Sequence, residues 1–222
     1  MHDVQQRILH VLADAIGSAI ECFDETTGRF MSKPDGPPAP DAKPKDLGWC
    51  PFNQDIIYPL AVLYTTPGTQ YHGDERIVDM ALRGGDAIRD AQYPDGQVEF
   101  IKTDGSRWGP TYAGWTNYAW LETFDILRDQ LGDERSARWA EGLRLSHDGQ
   151  AEKLKALDVH NIQCWNAMSC HRAGAIFNRR DWQAAGEAMI RAVVKAQHPN
   201  GYWLEHGGPT TLYNHVYIHG LG

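Results

Sequence analysis

An amide at Asn117 in GWTNYAW, an imidazole at His160 in DVHNIQCWN and phenols at Tyr213 and Tyr217 in LYNHVYIHG are scattered along this 222-residue chain. Near them in sequence stand Arg107, Trp108, Tyr112, Trp115, Asn161, Trp165 and His215. The set is amides, imidazoles, phenols and indoles, with few carboxylates. One reaction that draws on this inventory directly is β-elimination at a uronic-acid residue of a polysaccharide. The C5 proton of a uronate is poorly acidic while the adjacent carboxylate is charged. A neutral or cationic donor, often Asn, bonds that carboxylate and stabilises the enolate-like intermediate. A base of near-neutral pKa, His or ionised Tyr, removes the proton. A Tyr or His then protonates the leaving glycosidic oxygen, and neither metal nor cofactor is required.

Such residues act together only if the fold gathers them. AQYPDG at 91–96 and AQHPNG at 196–201 are nearly identical, and each follows a helix-like stretch. Apolar periodicity predicts a helix over 3–22, then helices over 55–64, 74–92, 114–131, 133–146, 160–177 and 181–197, and a last one beginning near Asn214. A Pro-rich connection fills 32–48, with SKPDGPPAPDAKPKD at 32–46. The pattern is a series of helical hairpins in which the two hexapeptides close equivalent second helices. This makes the chain an all-α protein. Alternating helices with Gly-rich loops and a repeated stop resemble an α/α toroid, an inner ring of helices enclosed by an outer one; an open helical solenoid is the competing architecture. Residues 1–222 read as one such domain or the N-terminal part of one. Three hairpins and the start of a fourth do not close a ring, so a further segment or a second chain is expected to complete it.

In a toroid the first helices of all hairpins run the same way, and their starts surround one mouth. Helix N-termini offer free N–H groups and partial positive charge there, which suits an anionic ligand. With the order Asn…His…Tyr, the chain resembles the α/α-toroid polysaccharide lyases acting on alginate, glucuronan and heparin-type chains. The resemblance implies Asn117 as carboxylate neutraliser, His160 as base, and Tyr213 or Tyr217 as acid. Trp108, Trp115 and Trp165 would be sugar platforms, with Tyr112, Asn161, His215 and Arg107 as further substrate contacts. It implies an anionic polysaccharide or oligosaccharide as partner and a periplasmic or secreted location, although the N-terminus has no secretory signal pattern.

Composition narrows the alternatives. A formal charge of −8 and the lack of Lys/Arg clusters argue against nucleic acid, and no apolar run is long enough to span a membrane. The cysteines, Cys22, Cys50, Cys164 and Cys170, lack metal spacing and read as free thiols. His215 and His219 share a helix face, but no third ligand is evident nearby. His171 falls in mid-helix and reads as a core histidine. A glycoside hydrolase on the same toroid stays open through Asp95, Glu99, Asp104, Asp158 and Glu205. So do an epimerase using two histidines and a non-catalytic carbohydrate-binding fragment. Asp95 and Glu205 follow second helices, which sets them on the far side from the mouth if their loops are short.

Overall fold

The computed structural model describes residues 2–31, 52–99, 109–205 and 207–221. It is all-α. The elements are α1 (His2–Ile20), the two-residue strands β1 (Phe23–Asp24) and β2 (Arg29–Phe30), a 3-10 turn (Phe52–Ile56), α2 (Ile57–Thr65), α3 (Glu75–Ala91), α4 (Gly114–Ile126), α5 (Gly132–Leu154), α6 (Asn161–Ile176), α7 (Arg180–Lys195), β3 (Leu204–Glu205), β4 (Gly208–Pro209) and α8 (Thr211–Leu221). The Pro-rich connection, Trp49, Cys50, Asp104, Arg107 and Trp108 lie outside the described residues.

Helices α2/α3, α4/α5 and α6/α7 are antiparallel hairpins. Ile57 packs on Gly84 and Tyr64 bonds Glu75; Trp120 meets Trp139 while Tyr112 meets Gly149; Gly174 abuts Gln183 while Gly186 abuts His171. The first members form a parallel row with α8. Tyr58 lies edge-on to Tyr118 at 6.2 Å, Glu122 pairs with Arg172, and the Cys164 thiol points at the Tyr217 carbonyl at 3.7 Å. From α4 to α6 the contacts advance together, Gly114 against Asn166 and then Glu122 against Arg172. Second members form another row. Asp86 of α3 accepts from the Trp139 indole (2.8 Å) and from Arg135 of α5, and Asp148 of α5 likewise accepts from the Trp182 indole (2.9 Å) and Arg179.

Burial distinguishes the rows. Helix α4 is covered almost all round, from Thr116 and Asn117 through Trp120, Glu122 and Phe124, whereas α7 buries one stripe, Trp182, Gly186, Met189 and Val193. A helix apolar on one stripe has solvent on the other side; one buried all round lies between layers.

The two hexapeptides fold alike. Tyr93 N–H donates to the Gln97 carbonyl and Gly96 N–H to the Tyr93 carbonyl; His198 and Gly201 repeat both bonds with Tyr202 and His198. The Gln92 and Gln197 side chains each donate to the glycine carbonyl four residues on. Gly96 and Gly201 take φ of 83° and 85°, a conformation that glycine adopts without a Cβ clash.

Helix α5 corrects the expected end at 146 by running on to Leu154. Gly149 reads as a breaker in sequence, but here it makes room for the Tyr112 ring, which a Cβ would strike. His171 is also not a core histidine, since its side chain is 45% exposed. The core histidine is His147, fully buried, with Nδ1 2.6 Å from the Leu143 carbonyl and Nε2 2.9 Å from Ser169 Oγ. Burial lowers its pKa to about 4, so it stays neutral.

Candidate functional site

The start of α6 is built around a carboxylate. Glu205, on β3 after α7, accepts from the Asn161 N–H (2.7 Å), the Asn161 side-chain amide (3.1 Å) and the Tyr217 hydroxyl (2.8 Å). It is 8% exposed. Burial raises its pKa, but the bonds from Asn161 and Tyr217, with His160 nearby, outweigh that and hold it below the ordinary Glu value. The expectation that Glu205 lies far from the mouth is therefore corrected. In antiparallel hairpins the exit of a second helix lies beside the start of a first, so short loops bring this carboxylate to the α6 N-terminus.

His160 immediately precedes α6 in extended backbone (φ −151°, ψ 168°), and its side chain makes no capping bond. That side chain is 33% exposed, and Nε2 lies 4.0 Å from Asp158. Asn161 spends both its N–H and its amide on Glu205. Asn214 seats the next helix: its amide oxygen accepts from Trp203 N–H (2.7 Å), and its NH2 donates to the Trp203 and Thr210 carbonyls. Tyr217 is fully buried and stacks on Trp203 at 5.0 Å. Burial, then the Glu205 carboxylate, push its phenol pKa up. Tyr213 is half-buried, on the first turns of α8.

The register fixes relative heights. Cys164 lies level with Tyr217 to Gly220, which sets His160 level with the stretch starting at Tyr213. Gly114 packs on Trp165 and Asn166, so Asn117 lies level with Met168 and Ser169. At 1.5 Å per residue, Asn117 sits roughly 12 Å deeper than His160. It is 3% exposed. His160, Asn161 and Tyr213 thus gather at one level, Tyr217 starts one turn below with its hydroxyl reaching Glu205, and Asn117 stands deeper still.

Of the aromatic candidates, Trp165 is half-buried with its ring edge-on to His219 at 6.3 Å, and exposed His215 lies 4.0 Å from His219, ring to ring. Trp115 is half-buried against Val98 and Ala113. Tyr112 corrects its expected role. It is 7% exposed, wedged on Gly149 with the Lys153 ammonium 5.0 Å from its ring, so it is part of the α4/α5 packing.

The sequence reading missed Asp55. It stands in the 3-10 turn before α2, beside Thr116 of α4, and its Oδ1 is closed off from water with no hydrogen-bond partner among the described residues. Burial raises its pKa to about 7; the Thr116 hydroxyl tempers this without reaching hydrogen-bond geometry. The available signal was a carboxylate at the start of a first helix. Of the other acids, Asp95 caps the hexapeptide turn by accepting from Gln97 N–H, and the Asp158 side chain is 79% exposed.

Compared with known proteins, the chain matches no family model, no curated protein and no solved structure.

Glu205 carries a stability prediction. Its lowered folded pKa contributes stability that is present above the ordinary Glu range and lost as pH falls through the folded value. Glu205→Leu also strands the Asn161 and Tyr217 donors, so urea unfolding at neutral pH should show a loss of about 2–4 kcal/mol. The gap to the wild type should narrow in acid.

Proposed function

We propose that the chain is a polysaccharide lyase, built on the α/α-toroid plan, that cleaves a uronic-acid-containing chain by β-elimination. The observation that carries this reading is the state of His160. It is accessible at a helix start, unused for capping, and its backbone is fixed through Asn161 and Glu205 at the level of Tyr213. His160 takes the C5 proton. Tyr213 protonates the leaving oxygen, in preference to Tyr217, whose hydroxyl is buried and committed to Glu205. Asn117, expected to receive the uronate carboxylate, is nearly sealed below this level, and Glu205 already neutralises the α6 start, so the positive potential of the α8 N-terminus meets that carboxylate. Trp165 and His215 flank the sugar.

The test is incubation with glucuronan, alginate, pectate and heparin-type chains. Elimination creates a C4–C5 double bond that absorbs in the ultraviolet. Reducing ends without that absorbance, or binding without turnover, would refute the lyase. A second reading, a glycoside hydrolase, is favoured by Asp55, a carboxyl poised to be protonated near neutrality as a general acid must be.

A further inference from the structure

The likeness of the hexapeptides extends to the helices before them. With Gln92 set on Gln197, a shift of 105 residues, the buried stripe of α3 (Ile77, Ala81, Gly84, Ile88) falls on that of α7 (Trp182, Gly186, Met189, Val193). The same shift carries the α3 face that receives α5 onto an uncovered face of α7. Gly85, against which Trp139 packs, becomes Ile190; Asp86 and Asp90, which bind Arg135 and Arg138, become Arg191 and Lys195; Arg89 becomes Val194. These α7 residues line a cavity of about 610 Å³ with Glu187 and His171. Val194 is 56% exposed. His171 Nδ1 is shut off from water there with no hydrogen-bond partner among the described residues, 3.9 Å from Glu187.

We propose that this face of α7 is the seat of an acidic amphipathic helix from a separate polypeptide, docked as α5 docks on α3. The charges decide the partner's chemistry. Where α3 offers carboxylates to two arginines, α7 offers a guanidinium and an ammonium, so the incoming helix carries Asp or Glu one turn apart. Ile190 fills the space that Gly85 leaves to an indole, so a small side chain stands opposite it. This inference is independent of the proposed reaction.

The probe is a fluorescent peptide of residues 132–148 carrying Arg135→Glu, Arg138→Glu, Trp139→Ala and Glu141→Leu. Anisotropy should show saturable binding to the full chain, weakened by salt. Arg191→Glu with Lys195→Glu should weaken it about tenfold or more. That double variant should in turn bind the peptide that keeps Arg135 and Arg138 and carries only Trp139→Ala and Glu141→Leu. Absence of saturation, or equal affinity of wild type and double variant, overturns the proposal. So does sedimentation showing a dimer that the double variant dissolves, because the occupant would then be a second copy.

Discussion

Asp55→Asn should make the protein more stable at pH 8, by about 2–4 kcal/mol in urea unfolding. The folded carboxyl titrates near 7 and the unfolded one near 3.8. Below 3.8 both states hold the proton. Between the two values the folded state keeps a proton that the unfolded state has released, so stability declines as pH rises from about 4 to about 7, then levels off. The whole shift, about three pH units, corresponds to roughly 4 kcal/mol at most. The amide has nearly the shape of the protonated acid and does not ionise, so the variant's stability should be flat across that range. Equal slopes for wild type and variant would show that Asp55 ionises freely. A residue that lowers stability at neutral pH is the kind retained for function, as in the trade-off between stability and activity.

The hairpin series was legible because its signals are local. The hexapeptides state a turn whose last residue, Gly96 or Gly201, takes positive φ without a Cβ to strain it, and α3 and α7 show one apolar stripe each. The extent of α5 was not legible, because Gly149 breaks helices on average and is kept here by a contact with Tyr112, 37 residues earlier in the chain. For the site, His160 and Asn161 could be read as a helix start, but the group that fixes them, Glu205, lies 44 residues away in sequence. Exposure was illegible too. Tyr213 and Tyr217 are one helical turn apart, and only packing against Trp203 and Glu205 decides which phenol is sealed. Asp55 escaped notice for a similar reason: its raised pKa comes from burial, which a single strand of letters does not show.

His160→Ala should lower the elimination rate by about 10²–10⁴-fold, the usual contribution of a positioned general base, with KM little changed. The imidazole makes no capping bond, and the α6 start is held by Asn161 and Glu205, so the variant should fold as the wild type does, with an unchanged circular dichroism spectrum. The pH profile separates the readings. A protonated Asp55 acting as acid gives activity that falls as pH passes about 7, while a mechanism that rests on a base gives no such fall. An enzyme that survives His160→Ala but is silenced by Asp55→Asn, producing reducing ends without ultraviolet absorbance, is a hydrolase. One that shows the reverse pattern is a lyase, because removing a C5 proton needs a base at the rim and makes no use of a half-buried acid between α2 and α4.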